Sequence, residues 1–197
     1  KKACKEYGAR GAKVYTDYTE LLKDTAIDVV HVLTPNVSHC PITVAAFEAG
    51  KHVMCEKPMA ATSTDAAQMI DAWKKSGKKF TIGYQNRFRP EVQALHAACE
   101  AGELGEIYYG KAHAIRRRAV PTWGVFPNKA LQGGGPLIDI GTHAIQQVAQ
   151  LGQPRFFHIR DHRALVKIGH NISQIKLVTI RNTGLQHLLI HRNLTHA

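Results

Sequence analysis

IDVVHVLTPN, running from Ile27 to Asn36, decides how the chain is read. Its first seven residues are a β-branched apolar run that predicts a strand over Ile27 to Leu33. The run stops at Thr34, Pro35 and Asn36, where Pro35 withholds a ladder donor and Asn36 or Ser38 is suited to cap a helix. The spacing then predicts a helix over residues 38 to 49 with Gly50 as its stop. One more cycle follows, with a strand over His52 to Glu56, a turn at Lys57 and Pro58, a helix over Thr64 to Ser76 capped by Gly77, and a third strand over Phe80 to Tyr84. Upstream, Asp17 and Glu20 form a capping-box pattern that predicts a short helix over residues 17 to 25. Strands alternating with helices are the signature of βαβ units, so an α/β fold built on a parallel, helix-covered sheet is expected. In such sheets ligands bind outside the carboxyl ends of the strands. That directs attention to Thr34 to Asn36, Glu56 to Pro58 and Gln85 to Arg87.

The 197 residues are 44% hydrophobic and 21% charged, enough to bury a core in one or two domains, which rules out disorder as the default reading. Cys4, Cys40, Cys55 and Cys99 lie far apart without a Cys-x-x-Cys pair, so neither a disulfide framework nor a zinc ribbon is indicated and no metal is expected. A reducing cytoplasm is the expected compartment. No apolar run approaches the roughly 20 residues of a membrane span, and Lys1 and Lys2 do not lead into a signal-peptide core. The net charge of +11 divides unevenly: residues 1 to 150 carry 19 basic and 14 acidic side chains, residues 151 to 197 carry 7 and 1. The later stretch also holds six of the twelve histidines, and runs such as Arg160, Asp161, His162, Arg163 show no sustained helical or strand period. A seam near residue 146 is therefore expected, with a basic tail over 151 to 197 that reads as a divergent segment, an unstructured extension or the product of a shifted reading frame. Nucleic-acid binding by that tail would rest on charge alone, and it is not expected.

After Pro90 the alternation changes. A helix over Val92 to Ala101 ends near Gly102, and a longer strand is predicted from Glu106 to Ile115, closed by Arg116, Arg117 and Arg118. A loop rich in proline and glycine, containing Trp123, leads to Gly133, Gly134, Gly135 and Pro136, and a helix is predicted from Leu137 to Gln150. Gly141 inside it costs about 1 kcal/mol relative to alanine and signals a close approach to the backbone. Asp139 and His143, four apart, are expected on one helix face.

TPNVSH at Thr34 to His39, the run from Ala49 to Pro58 (AGKHVMCEKP), and GGGPLIDIGTH at Gly133 to His143 together resemble the glucose-fructose oxidoreductase and inositol dehydrogenase (Gfo/Idh/MocA) family. The resemblance implies an incomplete Rossmann-type parallel sheet domain over residues 1 to 88, the start of an α+β open-sheet substrate domain over 89 to 150, and a nicotinamide cofactor, NAD or NADP. It implies hydride exchange with a sugar, cyclitol or related polyol, and self-association as a homo-oligomer. Lys57, Asp139 and His143 correspond to the catalytic trio. Thr34, Pro35, Asn36 and His39 correspond to the loop on the phosphate and ribose side of the cofactor, and Glu56, Lys57, Pro58, Asn86 and Arg87 to neighbours of the nicotinamide. The chain departs from the family pattern in carrying no G-x-G-x-x-G turn, whose glycines bring backbone N–H groups to the pyrophosphate, so weakened cofactor affinity is expected.

The chemistry suits those residues. Oxidising a secondary alcohol requires a group that stabilises the developing alkoxide and one that takes the hydroxyl proton. Lys57, after a strand and before a proline, is suited to donate to the substrate oxygen, and His143 to accept the proton. Asp139 would contact substrate or orient the imidazole. On residue type alone, a lysine beside proline is also an ordinary solvated side chain, and Asn36 and Ser38 are favoured helix caps with or without a dinucleotide. The alternative function is a non-catalytic fragment of such an enzyme, serving at most as an interaction module.

Overall fold

The computed structural model describes residues 6, 11–107, 109–114 and 121–150, together with four later strands at 156–160, 165–168, 177–181 and 186–191. Arg116, Arg117 and Arg118 and the Asp161, His162, Arg163 run lie outside the described residues. The chain divides into two compact units, the first comprising residues 1–34 and 38–82, the second 35–37 and 83–197.

In the first unit, helix α1 (Tyr18–Lys23) starts where the Asp17 carboxylate accepts the Thr19 N–H at 2.8 Å. Strand β1 (Val29–Val32), helix α2 (His39–Glu48), strand β2 (His52–Cys55), helix α3 (Ser63–Ser76) and strand β3 (Phe80–Ile82) follow in the expected alternation. The strands pair in parallel in the order β1, β2, β3, with Val32 opposite Cys55 and Val53 opposite Phe80. The period of two sends Val32, Val53 and Cys55 into a core with Ala46, Phe47 and Met69, all less than 4% exposed. Burying each of the larger side chains contributes about 1.5–3 kcal/mol. Phe47 meets Phe80 edge-on at 5.2 Å between ring centres. The alternate positions of the same strands, Val29, His31, Met54 and Thr81, are exposed, so the helices cover one face of the described sheet. Thr62 caps α3 by accepting the Asp65 N–H at 3.1 Å, and Gly77 ends it in the left-handed region at φ +64°. Ser38 stands at the N-terminus of α2 without a side-chain capping bond, so the expected cap there is not made.

In the second unit, helix α4 (Pro90–Glu100) begins with proline in its first turn and leads to strand β4 (Tyr109–Ala114). A short helix α5 (Lys129–Gln132), capped by Asn128, precedes Gly133 at φ +75°. The expected single helix from Leu137 is divided: Leu137–Gly141 forms a π-helical turn and Thr142–Ala149 continues as α6. The close approach expected at Gly141 is the Leu137 side chain, whose Cδ1 would stand 2.8 Å from a Cβ at that position.

The later runs Phe156–Arg160 (β5), Leu165–Ile168 (β6), Leu177–Arg181 (β7) and Gln186–His191 (β8) are strands, contrary to the expectation that this stretch lacks a strand pattern. Each run is rich in β-branched, aromatic or leucine residues, and interspersed histidine and arginine hide the alternation that the period test looks for. They join β4 in a five-stranded sheet of order β6-β5-β4-β8-β7, in which β4 and β5 are parallel and the remaining pairs antiparallel. Helix α6 packs on β4 and β5. Among the described residues no helix is long and apolar enough to cross a membrane.

Candidate active site

The first unit presents two loops at the carboxyl ends of neighbouring strands, one after β1 and one after β2, and His39 joins them. The ring of His39, in the first turn of α2, is 1% exposed. Its Nε2 lies 2.9 Å from the carbonyl oxygen of Thr34 and its Nδ1 2.8 Å from that of Pro58. Both partners are acceptors, and the ring sits between them, donating its N–H to one or the other according to its tautomer. His39 was expected on the cofactor side; with both nitrogens engaged by backbone, it holds the loops in place and presents no polar atom outward. Thr34 itself is exposed and Pro35 half-buried.

Lys57 follows β2 and is half-buried, and its peptide bond to the buried Pro58 is cis. The Glu56 carboxylate accepts the Lys57 N–H at 3.2 Å and stands 3.9 Å from the His31 ring, while its own N–H donates to Val32 at 3.0 Å. The loop thus continues the β1–β2 ladder one residue beyond the strand before turning. Beneath it, desolvation pushes the fully buried Cys55 thiol up to about 12, so this sulfur stays protonated and inert.

The second unit holds the remaining residues. Asn36, 7% exposed, donates from Nδ2 to the carbonyl oxygen of Gln132 at 2.9 Å, which is the bond its side chain makes in place of a helix cap. Asn86 is half-buried and Arg87 exposed, both in a 3₁₀ turn over Gln85–Phe88. Asp139, half-buried, sits within the π turn, and His143, 7% exposed, in the first turn of α6. Turns of that kind recur at functional sites, where they re-aim side chains. Tyr84, which the sequence reading treats only as the end of a strand, packs edge-on against His143 with ring centres 6.4 Å apart and planes at 85°. The local signal is an aromatic residue two positions past a strand, which is ordinary in itself. Burial raises the Tyr84 phenol above its usual range.

The polar groups at the ends of β1 and β2, a hydroxyl at Thr34 and an ammonium at Lys57 as donors and a carboxylate at Glu56 as acceptor, fit the chemistry of the ribose and amide groups of a nicotinamide dinucleotide. Among the described residues no three His, Cys, Asp or Glu side chains gather as a metal site.

Comparison with known proteins identifies the family. Residues 1–84 match the model of the oxidoreductase family with an NAD-binding Rossmann fold, and residues 92–159 match the GFO/IDH/MocA C-terminal domain, which carries the likeness past the seam near residue 146. D-glucoside 3-dehydrogenase of Escherichia coli strain K12 is 45% identical over 165 residues, covering 83% of this chain and 46% of that protein. The crystal structure of aldose-aldose oxidoreductase from Caulobacter crescentus, complexed with glycerol, superposes with a TM-score of 0.67 at 36% identity, covering 76% of this chain and 46% of the other. Levoglucosan dehydrogenase in complex with NADH and levoglucosan superposes with a TM-score of 0.70 at 31% identity, covering 76% of this chain and 41% of that one. The chain spans about half the length of the curated relative and the solved structures compared here. Its two matched segments follow one another in the family's own order, and the chain belongs to the Gfo/Idh/MocA oxidoreductases.

Proposed function

We propose that this chain carries the reacting groups of an NAD- or NADP-dependent oxidoreductase that acts on a secondary alcohol of a sugar, cyclitol or related polyol. The observation that carries the reading is Lys57: a half-buried ammonium directly after the carboxyl end of β2, in a loop pinned by His39. Family membership supports the same role, as do relatives named for a glucoside, levoglucosan and inositol.

When bound, the nicotinamide ring supplies the hydride acceptor or donor. Lys57 donates a hydrogen bond to the substrate oxygen and stabilises the negative charge that develops there. His143 takes the hydroxyl proton, a role for which imidazole is suited near neutral pH. Asp139 contacts the substrate or orients that imidazole. Thr34, Pro35, Asn86 and Arg87 bind or border the cofactor, Glu56 and Pro58 shape the loop that presents Lys57, and Asn36 and His39 act by fixing the backbone on either side of Pro35. The free thiols of Cys40, Cys55 and Cys99 fit the reducing cytoplasm as its compartment.

The test is turnover of a panel containing an alkyl glucoside, levoglucosan and myo-inositol with NAD⁺ or NADP⁺, followed by reduced-nicotinamide absorbance. Reduction dependent on one of these polyols supports the reading. No reduction with any of them, in a folded chain that also shows no thermal shift with NADH, overturns it in favour of a non-catalytic module.

A further inference from the structure

We propose that Tyr84 is a positioning residue that fixes the imidazole of His143 through edge-to-face packing. The inference rests on the reading of His143 as the proton-accepting group. Three observations meet at this point. The two rings stand 6.4 Å apart at 85°, within the range in which aromatic pairs hold a preferred geometry. His143 is 7% exposed, so its orientation is set by packing and not by solvent. The residues immediately before α6, Leu137–Gly141, form a π turn, so the start of α6 does not inherit the regular α-helical ladder from the preceding turn. A side chain from outside the helix therefore has leverage on where the ring points, and Tyr84 reaches it from the segment after β3.

Packing of this kind acts through the ring, and the hydroxyl is secondary. Tyr84→Phe keeps the ring and Tyr84→Leu removes it, so the pair separates the two contributions. A misplaced general base costs rate without weakening cofactor binding, and displacement on the order of 1 Å lowers turnover by about 10²-fold. The expected result is kcat reduced by about 10- to 100-fold in Tyr84→Leu with the KM for cofactor within about 2-fold of the parent, and kcat restored to within about 3-fold in Tyr84→Phe.

The experiment runs three variants together: Tyr84→Leu, Tyr84→Phe and His143→Gln. In the NMR spectrum, the His143 ring protons, assigned by their loss in His143→Gln, should move in Tyr84→Leu and stay near the parent position in Tyr84→Phe. His143 resonances unmoved in Tyr84→Leu overturn the proposal whether or not the chain turns over. Loss of activity in His143→Gln with an undiminished kcat in Tyr84→Leu overturns the positioning role and leaves the reading of His143 intact. Undiminished activity in His143→Gln overturns that reading and the positioning role with it. Tyr84→Met, which keeps more bulk, replaces Tyr84→Leu should the latter not fold.

Discussion

The Nδ1 atom of His39 lies 2.8 Å from the carbonyl oxygen of Pro58, and through that contact a helix residue governs the loop that presents Lys57. The opposite nitrogen lies 2.9 Å from the Thr34 carbonyl oxygen, so one buried ring ties together the segments that leave β1 and β2. A neutral imidazole carries one N–H and donates to one of these oxygens at a time; only the imidazolium donates to both.

Replacing His39 by leucine leaves the carbonyl group that accepts the imidazole N–H without its donor. That loss costs about 1–3 kcal/mol when the group stays dry, so His39→Leu is expected to lower unfolding stability by about 1–3 kcal/mol in urea titration. NADH affinity should fall together with stability, because the proposed function sets the cofactor against the same loops. A variant with parental stability would mean that this carbonyl group finds another partner.

Asp24 gives a pH-dependent signature. The Lys13 ammonium at 2.8 Å, the Tyr15 hydroxyl and the Ala26 N–H at 2.9 Å hold its carboxyl well below the usual carboxylate range. A depressed value in the folded state means that the charged form favours folding. That contribution is complete above the unfolded value of about 3.9 and disappears as pH falls through the depressed folded value. Asp24→Asn should therefore melt at lower temperature than the parent near neutral pH, with the gap closing progressively below about pH 4. A gap that stays constant on acidification would assign the effect to packing.

Cys55 should be silent toward thiol reagents. With the thiol pushed up to about 12 and the side chain fully buried, the thiolate that attacks a disulfide reagent is scarce and inaccessible. Labelling followed by peptide mapping should show Cys99 modified before Cys55, with Cys55 reacting on denaturation. Rapid native labelling of Cys55 would contradict its place in the core.

The parallel sheet of the first unit was legible because its signals are local. The β-branched run around Val29–Val32 and the left-handed glycines at Gly50 and Gly77 identify strands and helix ends without reference to the rest of the chain. The division of the segment from Leu137 into a π turn and α6 was not legible, because Gly141 announces a close approach without saying that a Leu137 methyl makes it. Asn36 shows the same limit. Its residue type suits a helix cap, yet its amide is committed to Gln132, 96 residues later, and no local rule reports so distant a partner. Tyr84 escaped for the opposite reason, since an aromatic residue at a strand end is ordinary until His143 is found against it.

The most direct measurement follows an isotope. A polyol deuterated at the reacting carbon is incubated with oxidised cofactor and the parent chain, Lys57→Met or His143→Gln, and deuterium appearing in the reduced nicotinamide is quantified by mass spectrometry. The parent should transfer the label, and each substitution should slow the transfer by about 10²-fold or more, the scale expected for losing a charge-stabilising donor or a general base. Equal transfer rates in the parent and both variants would contradict the assignment of this chemistry to Lys57 and His143.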